Sequence, residues 1–397
     1  MNNLTLLPLD FPRDVFDRMV ALRRDLHRHP ELSNQEQDTA HRLITRLKDL
    51  NISFRAGVGG TGIVADIPGA NPGPVVALRA DMDALPIHEE TGLEFSSIHD
   101  GVMHACGHDG HSSMLMGAAE LILQGDPLPV SVRLIWQPAE EIGSGAQAMI
   151  EAGVLENVSL IFGGHLDRRY PAGCLIVTEG PVNASTDTFD VHIQGQQGHG
   201  ARPHEAVDAV VVGSLFITSL QTIVSREVDP AHPSVVSVGS FQAGTAPNVI
   251  AGHAHLRGTI RAQDPKVRSH LQRSIQRIAK AIGELHDAKI DVSMHSGSPS
   301  LINSPEMTSL AREAAIHIVG EDRVQPLHTS NMGGEDFAYF LDHVGGCYIR
   351  FGGKIEGREG YPTHSSRFDF DEQALAAGSA WFVEMARRAG QQLLKEK

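Results

Sequence analysis

The order of apolar and polar positions along the chain follows two rhythms. Apolar residues recur every three or four positions over 11–28 and 35–50, which predicts two amphipathic helices. His29-Pro30 separates them, because the residue before a proline avoids helical backbone. Short apolar runs follow at 62–66, 75–80, 130–136 and 159–162, alternating with helical stretches at about 110–123 and 146–151. Such runs suit strands buried on both faces, so the alternation predicts an α/β domain with a largely parallel sheet.

From about residue 184 the rhythm changes. Phe189, Val191 and Ile193 alternate with polar residues, a helix is expected over 207–224, strands over 235–241 and 253–261, a helix over 265–285 and a strand over 289–295. This βαββαβ order is the ferredoxin-like split arrangement and predicts an inserted α+β domain at 184–295, with 1–183 and 296–397 forming the first domain. Segments 305–319, 336–341, 346–351 and 372–395 supply the returning helices and strand. A chain of 397 residues exceeds one ordinary core, in keeping with two domains.

Charge narrows the partners. With 33 basic against 48 acidic residues the net charge is −15, and no long basic run occurs, which argues against nucleic acid or an anionic membrane and for a small molecule. Residues 1–10 have a short apolar stretch without a basic flank or cleavage site, and no later window reads as apolar enough to span a bilayer, so a cytoplasmic protein is expected. The three cysteines, Cys106, Cys174 and Cys347, are odd in number and lack framework spacing, as expected where thiols stay reduced.

Chemistry concentrates where the predicted strands end. Asp81 and Asp83 follow one strand, Glu140 and Glu141 another, and His165 a third, and open α/β sheets gather ligands outside those ends. Between them His104-Ala-Cys-Gly-His-Asp-Gly-His111 packs a thiol, imidazoles and a carboxylate into one glycine-broken loop. Thiolate and neutral imidazole suit zinc-like ions, and Cys106 and His108 would project to one side of an extended backbone. A surface loop with a buried thiol, or Cys106 as a nucleophile, are the alternatives the loop alone leaves open. Glu140 and Glu141 follow an apolar strand and a proline, which favours chemistry over a solvated acidic pair.

Taken together, these segments resemble the M20 metallopeptidase family, in particular its branch of hippurate hydrolases, auxin-conjugate hydrolases and N-acyl-amino-acid deacylases. The resemblance runs through Leu26-His-Arg-His-Pro-Glu-Leu32, Leu78-Arg-Ala-Asp-Met-Asp-Ala-Leu-Pro86, the 104–111 loop, Gln137-Pro-Ala-Glu-Glu141, Gly198-His199, Asn248-Val-Ile250, Gly258-Thr-Ile-Arg261 and Gly334-Glu-Asp-Phe337. It implies a phosphorylase/hydrolase-like metallo-hydrolase domain with an inserted lid, acting on the amide bond of N-acyl amino acids. A dipeptidase or carboxypeptidase is the nearer alternative, and a non-catalytic ligand binder the more distant one.

The same resemblance implies two divalent ions per subunit, zinc or manganese first and cobalt or nickel after them, held by Cys106, His108, Glu141, His165 and His364. Glu140 would be the general base. Asp81, in preference to Asp83, would stand behind a metal-bound imidazole and fix its orientation. His104, Asp109 and His111 would support the loop, with Asp109 alternatively capping the following helix. In the lid, His199 would stabilise the oxyanion, Asn248 and Arg261 would grip the substrate carboxylate, and the lid would close about hinges near Ala184 and His295 and join subunits into a homodimer or larger homo-oligomer. Departures from the family pattern occur at Leu166-Asp-Arg-Arg-Tyr170 and Thr363-His-Ser-Ser366. Arg168 and Arg169 would favour a substrate with an extra negative group, or form a solvated basic turn.

Overall fold

The computed structural model describes residues 11–396, so the expectation for residues 1–10 lies outside the described residues. The chain divides into two compact units, one comprising residues up to Gly180, Ile302–His328 and those from Tyr339 on, the other Pro181–Leu301 with Thr329–Ala338.

The first unit is built on an eight-stranded sheet. In spatial order its strands are Phe54–Val58, Gly62–Ile67, Ser131–Gln137, Val75–Asp81, Val158–Pro171, Gly345–Lys354, Leu175–Ile176 and Val324–Gln325. The four long central strands are parallel, whereas Phe54–Val58 and Gly62–Ile67 add antiparallel pairing at one side. Leu78, Leu134, Trp136 and Phe162 are removed from water together with Met114, Trp381 and Phe382 of the helices His108–Gln124 and Ala374–Lys395. Burial on this scale supplies the dominant stabilisation, about 1.5–3 kcal/mol for each large apolar side chain taken from water.

One strand differs from the sequence expectation. The run that was expected to stop at Phe162 continues to Pro171, because Gly345–Lys354 pairs with it in parallel along that whole length. His165 therefore lies within a strand, opposite Arg350, and not beyond its end.

The second unit has the strand order Ser234–Ala243, His253–Ala262, Ser185–Gln194, Lys289–Ser296, antiparallel throughout, as a split βαββαβ requires. Phe189, Val191, Ile193, Leu256 and Ile260 point to one face and pack with Phe216, Leu220, Leu271 and Ile275 of the helices Ala209–Thr222 and Pro265–His286. Both helices start at an aspartate whose carboxylate accepts main-chain N–H groups: Asp208 from Val210 and Val211, Asp264 from Lys266 and Val267.

Residues 329–338, expected with the first domain, group with the second unit. Main-chain hydrogen bonds hold them there, from Asn331 N–H to Val182 O and from Ala184 N–H to Gly333 O. A second correction concerns apolar length. The helix beginning at Ala209 and continuing to Glu227 is long and apolar enough to cross a membrane, contrary to the sequence reading, because valine, isoleucine and leucine outweigh its interspersed hydroxyl residues. Ala209, Val212, Phe216 and Leu220 instead contribute one face to the core of this unit.

Candidate metal centre

Gly107 organises the loop. It occupies the left-handed region at φ +93° and immediately precedes the helix His108–Gln124, so the backbone between Cys106 and His108 is turned and not extended. A Cβ at Gly107 would also come within 3.0 Å of Leu166 Cδ1. Glycine is thus selected by conformation and by space. The turn brings the Cys106 thiol and the His108 ring to the same place, where His165 joins them, one ligand atom from each lying within 4.8 Å of the others.

The remaining candidates complete an overlapping set. Cys106, Glu141 and His364 form a second group within the same limit, and His108, Glu140 and Glu141 a third. Cys106 Sγ lies 3.2 Å from His165 Nε2, His364 Nε2 is 3.5 Å from a Glu141 oxygen, and His108 Nε2 is 3.8 Å from the other Glu141 oxygen and 3.9 Å from Glu140. All five residues expected as ligands, with Glu140, therefore converge within the first unit. Glu141 is almost wholly buried, while 53 % of the His364 side-chain surface remains exposed, so the group opens on that side.

The fit to a cation rests on atoms without partners. His108 Nε2 and Glu141 Oε1 are buried and make no hydrogen bond, yet they face one another across 3.8 Å. A buried polar atom left unpaired costs about 1–3 kcal/mol, and two aimed at one point are what a bound ion would satisfy. Burial pushes the Glu141 carboxyl up to about 7 and raises the Cys106 thiol well above its ordinary range, the nearby Glu141 carboxylate adding to the latter. His108 is raised too, well above its ordinary range: burial disfavours its charge, but Asp81 and Asp83 hold its proton firmly. Such a site stores protons that a cation displaces.

The supporting contacts fix which nitrogen faces the centre. His108 Nδ1 donates to Asp83 O at 2.9 Å, with an Asp83 carboxylate oxygen at 3.2 Å, which leaves Nε2 for the centre. His165 Nδ1 donates to Leu166 O at 2.7 Å, directing its Nε2 toward Cys106. The carboxylate behind His108 is thus Asp83, a correction to the preference for Asp81. Asp81 is engaged by Arg79 at 2.7 Å and by His111 Nδ1 at 2.6 Å. His111 Nε2 in turn accepts the Leu166 N–H, so both its nitrogens are used in support.

Two points that the sequence left open are decided by contacts. Asp109 does not cap its helix; its carboxylate binds Arg23 Nε at 2.9 Å and His27 Nδ1 at 2.9 Å, and His27 also reaches Glu89. Burial would raise the Asp109 carboxyl, but Arg23 and His27 keep it well below its usual range. Arg169 is neutralised by a bidentate pair with Asp167, and Arg168 donates to the Glu359 carbonyl, so the charges first set aside for an anionic substrate group serve the fold. His104 is buried without a hydrogen bond to either ring nitrogen, and burial lowers it to about 4.

Sequence reasoning missed the bracing of the glutamate pair. Ala139, just before Glu140, is left-handed at φ +53°, a conformation that costs a residue with a Cβ about 1–2 kcal/mol. Its N–H is held by Glu36, while the Glu141 N–H is held by Asp83 and Asp83 by Ser33. The adjoining segment Leu26–Leu32 was noticed only as a motif, and nothing in its residue types points to residues more than a hundred positions away.

In the second unit, the short strand Gly198–His199 pairs with Val249–Ile250, a ribbon absent from the sequence reading. Gly200 N–H donates to Asn248 O at 2.8 Å, so His199 and Asn248 sit side by side on exposed backbone. Arg261 is half-buried on the strand His253–Ala262; its Nη1 donates to Ile260 O and to the Thr259 hydroxyl, and burial lowers its pKa.

A mostly parallel α/β sheet that gathers thiol, imidazole and carboxylate donors around one pair of orphaned atoms defines a metallohydrolase. The chain belongs to peptidase family M20/M25/M40, whose sequence model it matches over residues 77–388. It is 39% identical over 92% of its length to thermostable carboxypeptidase 1 of Saccharolobus solfataricus, of which 94% is covered. It is 38% identical over 88% of its length to an N-acyl-L-amino acid amidohydrolase of Geobacillus stearothermophilus, of which 95% is covered. Among solved structures, the YXEP protein of Bacillus subtilis, described as a dinuclear metal-binding peptidase of the M20 family, superposes with a TM-score of 0.85 at 36% identity, covering 96% of this chain and 99% of that one.

Proposed function

We propose that the protein hydrolyses the amide bond of N-acyl amino acids, releasing a carboxylic acid and a free amino acid. The observation that carries this reading is the convergence of Cys106, His108, Glu141, His165 and His364 with two unpaired buried atoms at its centre. These five residues would hold two divalent ions, zinc or manganese by donor chemistry, with cobalt or nickel also suited to the mixed set. Ions bound there supply Lewis acidity for the scissile carbonyl and acidify water.

The chain's own groups do the rest. Glu140 takes the proton of the attacking water and delivers it to the departing nitrogen, a role suited to a carboxylate beside the ligands and not among them. Asp83 and the Leu166 carbonyl keep the His108 and His165 rings in the tautomers that present Nε2. Asn248 and Arg261 bind the substrate carboxylate, the guanidinium by paired N–H donors, and His199 donates to the oxyanion. Asp81 acts through His111. A second reading, a carboxypeptidase, is favoured by the Saccharolobus relative, since the same carboxylate anchor and the same water would serve a peptide.

The second unit would also join two subunits into a homodimer. The three cysteines are all free and buried, in keeping with a cytoplasmic location. Turnover of N-acetyl and N-benzoyl amino acids against dipeptides, with enzyme reconstituted in each metal, tests the reading. Amide hydrolysis lost on chelation and restored by a divalent ion supports it, while a strong dipeptide preference selects the carboxypeptidase.

A further inference from the structure

We infer that Glu36 is a positioning residue for Glu140, an inference that rests on Glu140 serving as the general base. Glu36 precedes the helix Gln37–Asp49 and is fully buried, 104 positions from Glu140 in the chain. Its Oε1 accepts the Ala139 N–H at 2.9 Å and the Asn34 N–H at 2.9 Å, and its Oε2 accepts the Thr61 hydroxyl at 2.6 Å. Three donors converge on one carboxylate.

The position of Ala139 gives this contact its consequence. The direction of the Cα–Cβ bond of Glu140 follows from the backbone just before it, and that backbone is the left-handed Ala139 at φ +53°. Strained conformations persist where surrounding contacts determine them. On the other side, the Glu141 N–H donates to Asp83 Oδ2 at 3.0 Å, and the Ser33 hydroxyl donates to the same oxygen at 2.7 Å. The short segment Ser33–Glu36 thus braces both neighbours of Glu140, the preceding one directly and the following one through Asp83. Asn34, at φ +65°, closes this segment upon Glu36.

A main-chain carbonyl could accept the Ala139 N–H, but it would not tie that N–H to the Asn34 N–H and the Thr61 hydroxyl at one side chain. Burial disfavours the charge here and raises the Glu36 carboxyl. What a carboxylate with three donors adds is a fixed point, and a base must be fixed: displacement of a reacting group by about 1 Å costs on the order of a hundredfold in rate.

The test is steady-state kinetics on an N-acetyl amino acid with metal-loaded Glu36→Ala, Glu36→Asp and Glu36→Gln, each with metal content and Tm, and Glu140→Gln as reference. Glu36→Asp keeps the charge but retracts it by one methylene. The expected result is a fall in kcat of about 30–100-fold in Glu36→Asp and Glu36→Ala, with KM within about threefold and metal retained. Glu36→Gln should recover to within about fivefold, because its amide oxygen still accepts from Ala139 and Asn34 while its NH2 donates to Thr61. If Glu36→Ala fails to fold, Glu36→Asp with Glu36→Gln decides alone. Wild-type kcat in folded, metal-loaded Glu36→Asp beside an inactive Glu140→Gln overturns the inference and leaves the base assignment standing. An active Glu140→Gln removes the base assignment, and the inference with it.

Discussion

The two regions expected to carry chemistry are built in opposite ways. In the first unit the candidate ligands are mostly buried, and the rings of His108 and His165 are each held by a second contact: Asp83 behind His108, the Leu166 carbonyl behind His165. In the second unit His199 and Asn248 stand on a two-residue ribbon, exposed and steadied mainly by their own backbone. The difference follows from what each must meet. A cation requires its donors prearranged at short fixed distances, whereas a carboxylate or oxyanion is met by groups that settle on it when substrate arrives.

Substitutions should therefore separate the regions by the kind of loss they produce. The largest effect is expected for Glu140→Ala, at least about a thousandfold in kcat with metal content unchanged; kinetics beside elemental analysis checks it, and substantial residual turnover would contradict the assigned role. Removing a candidate donor, as in His108→Ala, should lose both metal and activity, because too few donors would remain to hold an ion. In the other region Arg261→Ala should raise KM by about 10–100-fold with a smaller change in kcat, read from saturation curves with substrates that carry or lack the free carboxylate. A uniform loss on both substrates would show that Arg261 does not read that group.

The bracing behind the ligands gives a smaller effect with a pH signature. Burial would raise the Glu89 carboxyl, but the hydrogen bond from His27 holds it at about 2, against an ordinary value of 4.5. A carboxyl lowered on folding stabilises fully above its unfolded value and loses that contribution as pH falls through the folded one. Glu89→Gln should therefore lower Tm by a few degrees at pH 7, with the difference shrinking from about pH 4.5 toward 2. A difference constant across that range would exclude the ionised Glu89 as its source.

The central sheet was legible because strands buried on both faces are mostly apolar, as Val75–Asp81 is apart from Arg79 and Asp81, and Ser131–Gln137 apart from Ser131, Arg133 and Gln137. The ferredoxin-like order was legible for the complementary reason: Phe189, Val191 and Ile193 alternate because one face of their sheet packs under helices. The short ribbon Gly198–His199 was not, since two residues carry no period. Among site residues, the candidate ligands were visible through their side-chain chemistry and the family resemblance. Their supports were not: whether Asp81 or Asp83 backs His108 depends on where two carboxylates two residues apart come to lie, and Glu36 was silent because its role is set by a main-chain N–H far along the chain.

The central claim is that Cys106, His108, Glu141, His165 and His364 jointly hold the ions that activate water. Anomalous diffraction at the absorption edge of the bound metal, on catalytically competent crystals, tests this most directly. The account predicts two peaks within bonding distance of those five side chains. Competent crystals at saturating metal with peaks only elsewhere, or with none, would contradict it.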